Sequence, residues 1–540
     1  MIFGYRFTLS SRFFSRLTLI VLAAWITSSH ADSMLVSIPN PHTSPAAGVA
    51  PLLSATAPGS DRFFAVGLMK KTQGLAWECT ATLVASSETP NDTQAALILT
   101  AGHCSVDPLL SIDSGDNDVV IDKPMAVGFA FSPAYFFDNV NEHHWYSIKR
   151  IVYSSMKGSD VGLLELAATY GELRSRGVKP LLLKNFDASD RAIELAHIPQ
   201  GAFPGGFFLR HSVCQSQPPT PLFESAWPIR PDLPWYWSDA RANDCIGVYG
   251  GSSGSPVFAK DGKRVIGILS TATDSYLNGC GFARPCELAP AGTVSRPEAV
   301  YTHSVDHILA AFRPDNTLDL SNLDPGTGIA IERVGSWSTR SAAPNEHGQL
   351  QPASWGLKIS KGFEWIRYKS GSASSIQCAL PKGYGAPVRA VDQPLLKLPV
   401  DQREGVQAIC IIGKRFGQTS WQPMKFATVK LRQLDDTAPQ SKPEVDVYEH
   451  SPDEWQITTA SRLNEIVQTY YKYGALDSID CKNESGYALV RETLILPKDR
   501  NWRYCAYGKD EAGNKTLIIT RDLKIETGWL QELSATRSLN

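Results

Sequence analysis

A serine flanked by glycines lies in the stretch GGSSGSPVF at 250–258 and is the first candidate for chemistry. A serine hydroxyl is a useful nucleophile where the backbone turns tightly, leaves room for a substrate carbonyl and directs amide hydrogens at the developing oxyanion. Glycine allows such a turn, and Ser253 has Gly251 two residues before it and Gly254 directly after it. The stretch therefore indicates attack on a carbonyl carbon, provided that a base lies nearby in the fold.

Two further residues have the chemistry that such a serine needs, namely a base and a group that orients the base. His103 follows the apolar run AALILTAG, and Asp160 stands before the apolar run VGLLEL. Both therefore lie at the ends of predicted strands. The order along the chain is His103, Asp160, Ser253, and it predicts a triad in which a carboxylate holds an imidazole against a hydroxyl.

The three stretches resemble the motifs of the chymotrypsin-like (trypsin-like) serine endopeptidases. TAGHC at 100–104 resembles the histidine motif of that family, DVGLLEL at 160–166 its aspartate motif, and GSSGSP at 251–256 its serine motif. The resemblance covers roughly residues 60–313. It implies two six-stranded β-barrels with the site between them, a serine endopeptidase acting on protein or peptide substrates through an acyl-enzyme intermediate, and no cofactor or metal.

The same resemblance implies roles for single residues. Ser253 would attack the carbonyl, His103 would carry the proton, Asp160 would hold the imidazole, and the amides of Gly251 and Ser253 would form the oxyanion hole. CTATLV at 79–84 resembles the family's cysteine-bearing strand, which implies a disulfide between Cys79 and Cys104.

Substrate-binding positions are implied in the same way. GILS at 267–270 resembles the strand that pairs with substrate backbone, with Ser270 at its end. Counting back from Ser253 places Gly247 where the trypsin branch has its acidic pocket floor, and Ala299 stands near a position that is often glycine, which makes the pocket shallower. The side chain preferred at the cleavage site is not assigned by these residues.

One departure from the family concerns activation. Trypsin-like enzymes have an aspartate before the serine, which pairs with a new N-terminus after zymogen cleavage, whereas this chain has Ser252 and no IVGG-like start before FFAVGLM. In this it looks closer to the bacterial glutamyl-endopeptidase-like branch. We therefore expect no ion-pair switch, and we expect removal of the signal peptide or trimming of residues 32–60 to suffice for activity.

The N-terminus has the layout of a secretory signal peptide. Arginines precede the apolar run LTLIVLAAWI, and small and polar residues follow it up to Ala31. We expect residues 1–31 to be removed on export and residues 32–60 to form an irregular lead-in or propeptide. An uncleaved anchor would need a longer apolar run. The mature chain should be secreted, extracellular or periplasmic in transit, with no membrane span.

Short apolar runs with turn residues between them fill the stretch from 61 to 315 and predict an all-β domain, which the resemblance implies to be the protease domain. Helix is expected only at 303–312, where apolar residues recur at helical spacing. The polar stretch RPDNTLDLSNLDPGT at 313–327 predicts the first domain boundary.

Beyond this boundary the sequence repeats. Tyr368-Lys369-Ser370-Gly371 returns as Tyr471-Lys472-Tyr473-Gly474 in the same register 103 residues later, and the cysteine pairs Cys378/Cys410 and Cys481/Cys505 follow. We expect two copies of a β-sandwich, module 1 at 328–435 and module 2 at 441–527, each closed by its own disulfide. CAYGKDEAGN at 505–514 resembles bacterial immunoglobulin-like modules, which implies a binding or positioning role toward an unknown ligand.

Net charge and cysteine content bear on the expected partners and on the disulfides. A net charge of −2 offers no basic field, so nucleic acid is excluded as an expected partner. Ten cysteines in an exported chain predict five disulfides. The pairing among Cys214, Cys245, Cys280 and Cys286 has three possibilities.

Three alternatives stay open. GGSSG also fits the GxSxG pattern of α/β-hydrolases with Ser252 as nucleophile and His303 or His307 as base, although the density of strands argues against it. The acidic loop with Asp113, Asp116 and Asp118 is either a solvated turn, which the spacing favours, or a calcium loop. The protein could also be a catalytically silent binder or adhesin with a protease-like domain.

Overall fold

The computed structural model describes residues 48–72, 78–105, 119–200, 205–226, 230–273, 280, 284–290, 292–326, 328–329, 331–344, 347–360, 362–401, 403–460 and 466–525. Most of the regular structure in these ranges is β-strand, and the all-β class expected from the sequence is confirmed. The acidic loop with Asp113, Asp116 and Asp118, expected to be a solvated turn with a calcium loop as the alternative, lies outside the described residues.

Sixteen strands belong to the first part of the chain. They are β1 Val66–Lys71, β2 Glu78–Ala85, β3 Ala95–Thr100, β4 Val119–Pro124, β5 Phe129–Pro133, β6 Tyr146–Ser155, β7 Val161–Thr169, β8 Leu181–Leu183, β9 Ala192–His197, β10 Arg210–Ala226, β11 Arg230–Asn243, β12 Pro256–Phe258, β13 Arg264–Ala272, β14 Cys286–Ala289, β15 Gly292–Ser295 and β16 Val300–Ser304.

Two closed rings of six strands form within these sixteen. The first runs β1-β5-β6-β7-β3-β2 and closes because β2 pairs back with β1. The second runs β13-β12-β9-β10-β11-β16 and closes through the pairing of β16 with β13. Closure removes strand edges that would otherwise expose unpaired backbone groups. The two expected barrels are therefore present.

Each barrel interior is filled by apolar side chains. Leu83, Ile98 and Leu163 are completely buried in the first. Leu195 and Ile266 are likewise buried in the second. Strand β7 is buried along nearly its whole length, which explains why its sequence VGLLEL reads as a continuous apolar run.

The helical prediction is wrong in two respects. Helix α1, Tyr170–Ser175, was not expected; it begins at a capping box in which Thr169 and Glu172 bond each other's backbone amides. At 303–312 the helix α2 covers only Asp306–Leu309. His303 and Ser304 instead extend β16, because they pair with Ile268 and Gly267 of β13.

The second part of the chain holds sixteen further strands. They are β17 Ile331–Arg333, β18 Ser338–Thr339, β19 Ala342–Pro344, β20 Leu350–Pro352, β21 Leu357–Ile359, β22 Phe363–Ser372, β23 Val388–Arg389, β24 Gly405–Arg415, β25 Thr428–Leu434, β26 Glu444–Ser451, β27 Glu454–Ala460, β28 Gln468–Ala475, β29 Ala488–Leu489, β30 Leu494–Pro497, β31 Trp502–Lys509 and β32 Ile519–Leu523.

These strands form separate sheets. The main sheet of module 1 has the order β18-β25-β24-β22-β23, with two small strand pairs beside it, β17–β21 and β19–β20. Module 2 has a sheet β26-β27-β30 and a sheet β29-β28-β31-β32. Residues of both sheets of module 2, among them Ile457 and Tyr504, share one apolar core, as in a sandwich.

The sequence repeat corresponds to a repeated local structure. Lys369 donates to the carbonyls of residues 377, 380 and 382 and lies 4.7 Å from the ring centre of Tyr384, whose hydroxyl donates to the carbonyl of Cys378. In module 2, Lys472 lies 4.5 Å from the ring centre of Tyr487, whose hydroxyl donates to the carbonyl of Cys481. The conserved spacing therefore preserves one lysine-centred loop.

Five disulfides join the ten cysteines. Cys79 is bonded to Cys104, Cys378 to Cys410 and Cys481 to Cys505. Of the three possible pairings of the remaining four, the structure has Cys214–Cys245 and Cys280–Cys286. Among the helices of the described ranges, none is long and apolar enough to cross a membrane.

Candidate active site

The predicted base and its orienting carboxylate are in direct contact. His103 lies in the 3-10 turn Gly102–Ser105 that follows β3, and Asp160 directly precedes β7, the strand beside β3. Asp160 Oδ1 accepts the backbone N–H of His103 at 2.9 Å, and Asp160 Oδ2 lies 2.7 Å from His103 Nδ1. Because the carboxylate holds Nδ1, Nε2 is the ring nitrogen that can take a proton from a hydroxyl.

The electrostatics of this pair suit a base. Burial by itself would lower the pKa of His103, but the charge and hydrogen bond of Asp160 outweigh it, with a smaller contribution from Glu224, so the pKa is raised. Burial would raise the pKa of Asp160, yet His103 and the Ser270 hydroxyl lower it. Asp160 therefore stays a carboxylate that stabilises an imidazolium.

The candidate nucleophile loop lies against β2 and against the end of β3, the strand that leads to His103. Thr80 of β2 donates its backbone N–H to the carbonyl of Ser253 at 2.8 Å. A Cβ at Gly254 would lie 2.2 Å from Thr100 Oγ1 and 2.8 Å from the nitrogen of Ala101, so only glycine permits this approach. Ser253 is consequently held beside the turn that carries the histidine.

The amides expected to form an oxyanion hole, those of Gly251 and Ser253, lie on one tight turn. Gly251 has φ +87°, and a Cβ there would lie 2.6 Å from Gln200 and 2.9 Å from the carbonyl of Ile198. Within the described ranges, the backbone amides of Gly251 and Ser253 donate to no carbonyl. Two amides on one tight turn, with no acceptor among the described residues, can bind an oxyanion.

Ser252 was expected to replace an aspartate that the resembled family has before its serine. It is fully buried, accepts the N–H of Tyr249 at 3.2 Å and lies 3.1 Å from Nδ1 of His197. Burial, with the positive charges of Arg210 and His211, lowers the pKa of His197 to about 3. A neutral serine–histidine pair therefore stands at this position, and Ser252 is too enclosed to serve as a nucleophile.

The expected substrate-binding residues fall into two places. Ser270 lies at the triad, where its hydroxyl donates to Asp160 Oδ2 at 2.7 Å. Gly247 and Ala299 both line a cavity of about 340 Å³, together with Val248, Thr273 and Arg296. Gly247 also lies against the N-terminal segment, since a Cβ there would be 2.7 Å from the nitrogen of Ala50.

That N-terminal segment, residues 48–53, was expected to be an irregular lead-in, and it packs against the second barrel. Ala50 is fully buried, and its carbonyl accepts Arg210 Nη1 at 2.7 Å. Leu53 donates its N–H to the carbonyl of Leu209 at 2.9 Å. We call residues 48–53 the N-terminal arm.

Glu224 is a site residue that the sequence did not reveal. It lies on β10, is 5% exposed, and its Oε1 accepts the hydroxyl of Thr271 at 3.3 Å. Thr271 follows Ser270, so the carboxylate reaches the strand beside the triad. No local motif marks Glu224, because only the pairing of distant strands brings it here.

The potential metal-ligand atoms around His103 do not favour a metal site. Cys79, His103 and Cys104 are the group of potential ligand atoms that comes together in the described ranges, but both sulfurs are committed to a disulfide.

No model of a known protein family matches the sequence, and no curated protein matches it. The solved structures that match include a thermostable serine protease, AL20, from an extremophilic microorganism, with 17% identity, a TM-score of 0.30, and coverage of 45% of this chain and 92% of that one. Another is the protease Anisep from Arthrobacter nicotinovorans, with 15% identity, a TM-score of 0.27, and coverage of 45% and 90%.

Proposed function

We propose that the chain is a secreted serine endopeptidase that hydrolyses peptide bonds through Ser253, His103 and Asp160. The observation that carries this proposal is the Asp160–His103 pair beside a serine loop whose Gly251 and Ser253 amides bond no carbonyl in the described ranges. A base, a nucleophile and an oxyanion site within one cleft are what acyl transfer requires. By "the cleft" we mean the surface around His103, Ser253 and residues 270–272.

The mechanism follows from these contacts. Ser253 Oγ attacks the carbonyl carbon while His103 Nε2 takes its proton, and the oxyanion binds the N–H groups of Gly251 and Ser253. Collapse of the tetrahedral intermediate breaks the C–N bond as His103 returns the proton to the leaving amine. Water then hydrolyses the acyl-enzyme by the same steps.

A polypeptide substrate is favoured by the strand next to the triad. Thr271 and Ala272 of β13 pair with β16 on one side, whereas β12 pairs with β13 only as far as Ile268. The other edge at 270–272 thus offers backbone groups to an extended peptide, which can add as a further strand. The substrates are therefore proteins or peptides.

The remaining features of the proposal concern export and organisation. Five disulfides favour an oxidising compartment. We assign residues 1–31 to a signal peptide, 61–315 to the protease domain, and 328–435 and 441–527 to immunoglobulin-like modules that bind or position an unknown ligand.

The test is covalent labelling of the folded mature protein with a fluorophosphonate probe. We expect one label, on Ser253, and no label on a Ser253→Ala variant. A Ser252→Ala variant should still be labelled on Ser253. Cleavage of a peptide library should then yield products with a free N-terminus. A mature protein that takes no label on Ser253 would instead be the catalytically silent binder.

A further inference from the structure

Module 1 contacts the protease domain through a shared apolar cluster. Phe223 of β10 and Trp337 of module 1 are both buried, with ring centres 5.4 Å apart. Around them lie Cys286, Leu288, Ala373, Val406, Ala408 and Leu431, which come from both parts of the chain. A mixed core of this kind holds two domains in one arrangement, unlike a flexible tether.

The strand that carries Phe223 presents its opposite face to the cleft. Neighbouring residues of a strand point to opposite sides, and Glu224 accordingly accepts the Thr271 hydroxyl. Thr271 belongs to the edge that we expect to pair with substrate. The position of β10 against module 1 therefore sets the position of a carboxylate at the substrate edge.

A second contact reaches the loop before Asp160. The Lys157 side chain is 8% exposed; its Nζ donates to Asp324 Oδ2 at 2.6 Å and to the carbonyl of Phe426 of module 1 at 2.8 Å. The next residue, Gly158, accepts the backbone N–H of Ser238 on β11 at 2.9 Å. The loop is thus held by module 1 and by the strand that pairs with β10.

Module 2 extends this set of contacts. Trp337 Nε1 donates to Glu511 Oε2 at 2.8 Å, and Ser336 Oγ donates to Glu511 Oε1 at 2.9 Å. Asn514 Nδ2 donates to the carbonyls of Asp435 and Thr437. Part of the motif CAYGKDEAGN therefore serves contacts between modules, and Trp337 is bound on both sides.

We infer that module 1 is a fixed support of the substrate cleft, and that Trp337 and Lys157 are positioning residues that hold β10 and the 156–159 loop in the geometry an extended peptide requires. This inference rests on the proposed endopeptidase function. It assigns to module 1 a role in catalysis on long substrates, beyond the binding or positioning of an external ligand.

The physical reason is that both anchors are costly to loosen. Loss of the Lys157 ammonium would leave the buried Asp324 carboxylate without its cation, and a truncated Trp337 would leave a cavity under β10. Either change lets the cleft elements shift, and small misplacements of substrate-positioning groups reduce rates strongly.

The experiment uses the full mature chain with Lys157→Met and Trp337→Leu. Peptides with about six residues before the cleaved bond, and a one-residue ester, report on long and short substrates. We expect kcat/KM for the long peptide to fall about tenfold or more, while the ester and the rate of fluorophosphonate labelling change less than about twofold. Lys157→Arg, which keeps the charge and the donors, should recover most of the loss.

Matched controls are Lys149→Met, since that side chain is 63% exposed, and Phe416→Ala, since Phe416 of module 1 is 64% exposed. Both should behave as the unaltered protein. Wild-type kcat/KM on the long peptide in both test variants would overturn the inference. So would equal losses on long and short substrates with a lower melting temperature, because that outcome marks a purely structural role.

Amide hydrogen exchange separates this inference from the proposed function. Residues 156–160 and 222–224 should exchange faster in both test variants than in the controls. If the wild-type protein takes no label but the test variants still exchange faster, the endopeptidase proposal fails, while the inference that module 1 holds these elements stands. If the wild-type protein is labelled but the test variants exchange like the controls, the endopeptidase proposal stands, and the inference that module 1 holds these elements fails.

Discussion

Ser270 Oγ and His103 Nδ1 both contact one oxygen, Oδ2 of Asp160, each at 2.7 Å. The carboxylate is therefore held from two sides, with its other oxygen bonded to the His103 amide. This arrangement fixes the imidazole by hydrogen bonds to the ring and to the backbone of the same residue.

The first prediction concerns this carboxylate. Asp160→Asn should lower kcat by about 10⁴-fold, because an amide favours the wrong imidazole tautomer. Ser270→Ala should lower kcat/KM about tenfold, as expected for losing a hydrogen bond to a charged group. Steady-state kinetics on one peptide measure both, and Ser321→Ala, an exposed serine, is the control. Full activity in the Asp160→Asn variant would show that Asp160 takes no part in the mechanism.

The second prediction compares two adjacent glycines. Gly251→Ala should lower kcat by about 10²- to 10³-fold, because the new Cβ displaces an oxyanion-hole amide. A Cβ at Gly250 meets nothing within 4 Å, so Gly250→Ala is the matched control and should stay within about threefold of the unaltered enzyme. Equal rates in the two variants would show that the Gly251 amide takes no part.

The third prediction is a pH profile. His103 must be neutral to act as base, so kcat/KM rises with pH through its pKa, which lies above the usual 6.5. Glu224→Gln removes a negative charge that helps to raise this pKa, and the acidic limb should move to lower pH. Glu332→Gln, an exposed change in module 1, should leave the limb in place. An unmoved limb in Glu224→Gln would argue against its influence on His103.

The fourth prediction concerns the N-terminal arm. Chains that begin at Asp32 and at Gly48 should be equally active, since neither loses the arm. A chain that begins at Ser54 should be less stable by about 1–3 kcal/mol, because the Arg210 guanidinium loses the Ala50 carbonyl. Thermal melting and kcat/KM measure this. If activity required a new N-terminus near residue 50, the expectation that this protein has no ion-pair switch would be wrong.

The fifth prediction concerns acid stability. His197 has a folded pKa of about 3 and an ordinary unfolded value near 6.5, so the unfolded chain binds more protons between these values. The free energy of unfolding should therefore fall as pH decreases from about 6.5 toward 3. His197→Gln should make this dependence shallower in urea titrations. The exposed His144→Gln should retain the full slope.

Much of the candidate site could be predicted from the sequence because its residues lie in short local patterns. These patterns are an apolar strand followed by Gly-His-Cys, an aspartate before an apolar strand, and a glycine-rich turn. Each pattern indicates the local backbone geometry around its own residues. The strand periodicity likewise predicted the all-β class, and the 103-residue repeat predicted two copies of one module, each closed by its own disulfide. The helix at 303–312 failed because the pairing of β16 with β13 overrode the local spacing.

By itself, the sequence determined which side chains could do chemistry and where strands would form, since both depend on residue type and near neighbours. Tertiary structure decided the rest: Glu224 beside Thr271, Ala50 beneath Arg210, and Trp337 against Phe223. These contacts join residues that are far apart in the chain. They depend on the closure of barrels and the packing of sheets, and no local pattern encodes that geometry.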